Sequence, residues 1–152
     1  MLNLGRKITR PRIYIWERYF LKQDLSFILK RNESPYRRLS VTILIASGKP
    51  FTVKCEDNSV LKLQGAILGP NADRTNLYAE DSDITTFDAF ITTPAYRGLM
   101  QCVAPNETRV LKYHELSKVQ ELCRQSFFQE LSIEDASTLF ESVVYSLSHL
   151  PN

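Results

Sequence analysis

Histidine is scarce in this chain. His114 and His149 are the only two in 152 residues, and both lie in the last third. A three-histidine metal centre is excluded by count, and the clustered ligands that a catalytic metal needs are missing. Cysteine is almost as rare. Cys55, Cys102 and Cys123 are odd in number and widely spaced, which suits neither a disulfide framework nor a zinc site. Three unpaired thiols, with Cys123 on a helix face, fit a reducing cytoplasm better. No G-x-G-x-x-G or P-loop run occurs, so nucleotide-dependent chemistry lacks its phosphate cradle. No G-x-S-x-G occurs either, and no cysteine has a histidine nearby in sequence, which argues against a nucleophilic hydrolase. The acidic stretch Glu80-Asp81-Ser82-Asp83 lacks the spacing of a calcium loop and reads as a solvated hairpin loop. The longest apolar runs, such as Ile43 to Ala46, fall far short of a membrane span. The opening MLNLGRKITRPR is basic but has no apolar segment or small-residue cleavage site, so it does not read as a signal peptide. With 19 basic and 17 acidic residues the net charge is +2, too small an excess to imply nucleic-acid binding by this chain. The basic residues do lean toward the first forty positions, as a solvated surface or as an arm that touches phosphates.

What is present is a core. Hydrophobic residues make up 43% and aromatics 11%, ordinary for one folded domain spanning 1–152. The first two-thirds reads as short strands between turns. Arg12 to Phe20 alternates, with Ile13 and Ile15 on one face and Tyr14, Trp16 and Phe20 on the other. Leu25 to Lys30 is a second run. Leu39 to Ala46 is the strongest, rich in β-branched residues, and stops at Ser47-Gly48-Lys49-Pro50. Phe51 to Cys55 follows, then Val60 to Leu68 with a bulge expected at Gly65, and Ile84 to Thr92 ends before Pro94. Strands this short and this closely spaced indicate an antiparallel sandwich or barrel over about 12–113.

The period then changes to helical. Leu116, Val119, Leu122, Cys123 and Phe127 share one stripe. A second helix begins at Ser132, a good N-cap followed by Glu134 and Asp135 where negative charge suits the helix dipole. Its stripe is Ile133, Ala136, Leu139, Phe140, Val143, Val144 and Leu147. The short connection between the helices predicts an antiparallel pair over about 114–150. The first stripe either packs on the outside of the barrel or leaves part of itself for a dimer interface, with Leu116, Val119, Cys123 and Phe127 as candidates. The expected fold class is therefore α+β with segregated elements.

The segments IYIWERYFLKQDL, SPYRRLSVTILIASGKPFTV, GAILGPNADRTNL and TTFDAFITTP, with the tail LSIEDASTLFESVVYSLSHLP, together resemble the N-terminal domain of AraC-type bacterial transcription regulators. The resemblance runs from about Arg12 to Pro151 and rests on the order of segments rather than on one diagnostic motif. It implies a cupin-like, jelly-roll β-barrel that binds a small-molecule effector, and a C-terminal helix pair that mediates homodimerisation. It also implies that DNA is contacted only through a separate helix-turn-helix domain, since no recognition-helix pair is legible in this chain. In many relatives an H-x-H element falls where this chain has Tyr36 and Arg38, and another histidine follows the Pro-Asn turn, where this chain has Arg74. Cupin-type metal binding is therefore not expected, and no cofactor is implied. Arg38 and Arg74 are left with two readings. They form a guanidinium pair for an anionic effector, with Tyr36 beside them, or they pair with acids such as Asp73 or Glu33.

An effector sensor, not an enzyme, is the leading expectation, with coupling sought in the connection from Met100 to His114. The alternatives are a stand-alone cupin-like interaction module and a small barrel enzyme. An enzyme needs convergent titratable groups. Neither face of the 41–46 strand supplies one, and Asp88, the acid best placed in a strand, is expected at an exposed or edge position.

Overall fold

The computed structural model describes residues 11–25, 27–29, 39–54, 59–72, 77–79 and 82–150. Its strands are β1 (Arg12–Trp16), β2 (Tyr19–Asp24), β3 (Phe27–Leu29), β4 (Ser40–Ala46), β5 (Phe51–Lys54), β6 (Val60–Leu63), β7 (Gly65–Leu68), β8 (Leu77–Ala79), β9 (Ile84–Phe90) and β10 (Thr108–Val110). Its helices are α1 (Pro94–Leu99), α2 (Tyr113–Ser126) and α3 (Ile133–Ser148). All described pairings are antiparallel. Six strands form one sheet in the order β1-β2-β9-β4-β7-β10, and four form another in the order β3-β8-β5-β6. The α+β class is as expected.

The β4 run SVTILIA sits between β9 and β7, and every residue in it is buried. Strand alternation then sorts its side chains. Val41, Ile43 and Ile45 join Leu21, Phe87 and Ala89 in a core shared with Leu116, Val119, Cys123, Ala136, Phe140 and Val143 of the helices. Fully burying each of these aliphatic side chains contributes roughly 1.5–3 kcal/mol. Leu44 and Ala46 point the other way and pack with Ala66, Leu68 and Ile84, and with Phe51 and Leu63 of the smaller sheet. The large sheet therefore has helices on one face and the second sheet against the other.

Several elements differ from the expectation. Arg12 to Phe20 is not one strand but two, folded at Trp16 and Tyr19, with Glu17 in the left-handed region at φ 47°. No glycine or asparagine marks this turn, so its usual sequence signal is missing. Gly65 is not a bulge. It begins β7 in the large sheet while β6 belongs to the small one, so the chain changes sheets there. A Cβ at Gly65 would lie 2.4 Å from a Leu116 methyl carbon, so the corner needs glycine to seat α2. Ser82 and Asp83 are buried rather than solvated, and the Asp83 carbonyl accepts from the Ser47 amide at 2.8 Å. Pro94 does more than end a strand. It occupies the first turn of α1, where its missing N–H costs nothing, and Thr93 caps that helix by accepting from the Tyr96 amide.

The two long helices are where their periodicity put them. Ser132 caps α3 by accepting from the Asp135 amide at 3.0 Å. His114 lies in the first turn of α2, and His149 caps α3, with its Nδ1 2.7 Å from the Tyr145 carbonyl.

Candidate functional site

The face of the large sheet turned toward the small one is neither fully apolar nor simply solvated. Register sets it out in rows. Phe20, Asp88, Thr42 and Leu68 stand side by side across β2, β9, β4 and β7. The next row is Lys22, Thr86, Leu44 and Ala66, and the third is Asp24, Ile84 and Ala46. Ser40 lies two residues from Thr42, on the same face. One end of this surface is therefore hydrocarbon, closed by Phe51 and Leu63. The other end carries a carboxyl and two hydroxyls, while the Lys22–Asp24 ion pair, at 3.5 Å, lies on β2 beside Thr86 and Ile84.

Asp88 is the centre of the polar end. It is 8% exposed on a strand with partners on both sides, which corrects the expectation of an exposed or edge position. Its carboxyl accepts from the Thr42 hydroxyl and, at 3.4 Å, from the Ser40 hydroxyl. Three oxygen-bearing side chains are thus held on the two central strands of a sheet whose far side is packed with helices. The alternation of TTFDAF and of SVTILIA already places Asp88 and Thr42 opposite Phe87 and Ile43. What local reading misses is the strand order, which makes β4 and β9 neighbours at the middle of the sheet.

A second site lies at the connection from Met100 to His114, where coupling between sheet and helices was expected. A cleft of about 700 Å³ is lined there by the loop after α1, by β10 and by the start of α2. One guanidinium ties the three together. Arg109 donates to the Cys102 carbonyl at 2.9 Å and to Glu115 Oε2 at 2.8 Å, while Glu115 Oε1 accepts from the Lys112 amide at 2.9 Å. Burial raises the Glu115 pKa, but the Lys112 amide and the Arg109 guanidinium outweigh it, and the carboxyl ends below the ordinary glutamate range. Two further ties hold α2. Gln120 donates to the Ala46 carbonyl at 2.8 Å, and the buried Gln23 donates to the Ser126 hydroxyl at 2.8 Å.

The residues singled out from sequence fare differently. Tyr36, Arg38 and Arg74 lie outside the described residues, as does Cys55. Leu116, Val119, Cys123 and Phe127 are brought together, but on the inside. All four are buried within the chain, at 3%, 0%, 0% and 0% exposure, and Leu116, Val119 and Cys123 belong to the core shared with β4. Burial pushes the Cys123 thiol up to about 12, and burial also raises Cys102, so both are poor nucleophiles. Among the described residues no group of three or more His, Cys, Asp or Glu is placed to hold a metal ion, and no helix is long and apolar enough to cross a membrane.

No known family profile and no curated protein matches the chain. Solved structures similar to it include ToxT from Vibrio cholerae, at 11% identity and a TM-score of 0.39 over 93% of this chain. The match spans 58% of the length of ToxT. Protein NMB1881 from Neisseria meningitidis is similar at 12% identity and a TM-score of 0.36, over 55% of this chain and 87% of that one. Neither likeness assigns an activity to this chain.

Proposed function

We propose that this chain is the effector-sensing and dimerisation domain of an AraC-type transcription regulator rather than an enzyme. In this reading the two sheets are the walls of a cupin-like barrel, and a small molecule binds between them. The observation that carries the reading is the buried Asp88–Thr42–Ser40 cluster on the inter-sheet face, beside the hydrocarbon of Leu44, Ala66 and Leu68. Hydrogen-bonding groups set on rigid strands beside hydrocarbon are what orients and selects a small ligand. The carboxyl favours an effector that presents N–H or O–H donors there, and an anionic group on that effector would call for cations such as Arg38 and Arg74.

The same strands supply the relay. Ala66 and Leu68 face the second sheet from β7, and β7 pairs with β10, whose Arg109 is fastened to Glu115 of α2. An occupant that shifts β7 or β4 biases how α2 sits, and its influence is bounded by its differential affinity for the two arrangements. Homodimerisation then falls to the exposed sides of the helices, and DNA to a separate domain.

A thermal-shift screen of the chain against small polar metabolites, followed by calorimetry, tests this. A ligand whose affinity falls about ten-fold or more in Asp88→Asn, at unchanged circular dichroism, supports the reading; a ten-fold loss corresponds to about 1.4 kcal/mol of lost interaction. Hits indifferent to both Asp88→Asn and Thr42→Val, or a screen without hits, overturn it. Light scattering that returns only a monomer at tens of micromolar removes the dimerisation part.

A further inference from the structure

On the opposite side of the large sheet, between the β1–β2 hairpin, α1 and α3, lies a pocket of about 420 Å³ that the effector reading does not use. Its lining is aromatic. Phe140 is buried at its base, with the Tyr19 ring centroid 5.0 Å away and Trp16 meeting it edge-on at 5.6 Å. Tyr145, 67% exposed, stands at the mouth, and Val144 adds hydrocarbon. A single charged side chain lines the pocket, the carboxylate of Glu141, and no basic residue does. Among the described residues the Glu141 side chain has no hydrogen-bond or ion-pair partner, as is also so of Glu134 and Asp135 on the same helix, but of these only Glu141 lines the pocket.

We propose that this pocket binds an organic cation, an amine or quaternary ammonium carried on a small apolar body. Two independent features select that class. Aromatic rings attract a cation through their quadrupole and simultaneously bury its apolar part. The unpaired carboxylate then supplies the one formal charge, of the complementary sign. A neutral apolar ligand would gain nothing from Glu141, and an anion would be repelled by it. The size is within the range that encloses a small organic ligand.

Trp16 is the chain's only tryptophan and lines the pocket, so its fluorescence reports occupancy directly. The experiment titrates the full chain with benzyltrimethylammonium, benzyl alcohol and phenylacetate in parallel. Saturable change in Trp16 emission with the cation is expected, with the neutral and anionic probes at least about ten-fold weaker. Glu141→Gln, at an exposed position that leaves packing alone, is expected to weaken the cation several-fold, and Tyr145→Ala to weaken it further. No saturable change, equal response to all three probes, or indifference to Glu141→Gln overturns the proposal. None of these outcomes depends on whether an effector binds between the sheets.

Discussion

The two faces of the six-stranded sheet are built from the same strands and do different work. On the helix side, Val41, Ile43, Ile45, Phe87 and Ala89 present hydrocarbon to α2 and α3, interrupted by the buried but uncharged Gln23 and Thr85. On the other side, one residue along in each strand, the polar Ser40, Thr42 and Asp88 give way along the strands to the apolar Leu44, Ala46 and Ile84. Burying the Asp88 carboxyl carries a desolvation cost that an apolar side chain would not, and the Thr42 and Ser40 hydroxyls are among the groups that offset it. The helix face thus reads as the part that holds the domain together, and the inter-sheet face as the part in which composition has been diverted from packing.

Substitutions at neighbouring positions sharpen that contrast. Phe87→Ala removes a ring with no exposed surface that contacts Phe140 edge-on, and is expected to cost about 3–5 kcal/mol in urea unfolding. Asp88→Ala, the next residue but on the other face, is expected to cost less, about 1–3 kcal/mol, chiefly from the hydroxyls left without their acceptor. If Asp88→Ala proves the more damaging, the inter-sheet face carries more of the stability than the helix face and the proposed division between them is wrong. Ser132→Ala probes the helix side at its edge. It leaves the Asp135 amide without its cap and is expected to cost about 1 kcal/mol, measured as a small fall in Tm.

The smallest effect is pH-dependent and belongs to the joint between the faces. Glu115 has a folded pKa below its unfolded value, so its contribution is present above the ordinary glutamate pKa of about 4.3 and is lost as pH falls through the lower folded value. Wild-type stability should therefore fall more steeply than that of Glu115→Gln as pH drops below about 4.3. Equal slopes in the two proteins would show that the Arg109–Glu115 tie does not fasten β10 to α2.

Much of this organisation was legible locally. The helical stripes of α2 and α3, the Ser132 cap and the β4 run all follow from periodicity, which a single segment carries within itself. The β1–β2 hairpin was not, because Glu17-Arg18 has none of the residues that usually announce a two-residue turn. The fate of the α2 stripe was not legible either. Leu116, Val119, Cys123 and Phe127 read as core or, less readily, as part of a dimer face, and the core that Leu116, Val119 and Cys123 share with β4 is visible only in the folded chain. Asp88 shows the same limit from the other direction. Its alternation with Phe87 was plain, but alternation says which residues share a face, not what that face meets.

The sequence by itself determined the α+β order, the strand and helix periods, the sparse histidine and the odd cysteines, because these depend on residue type and spacing alone. Only the tertiary structure decided that β9 lies between β2 and β4, that the chain changes sheets at Gly65, and that Asp88 is buried beside Thr42. Such pairings join residues as far apart as 19 and 89, and their energy comes from burying two distant segments against each other. No local window contains both partners, so only the closed fold can say which polar group ends up inside.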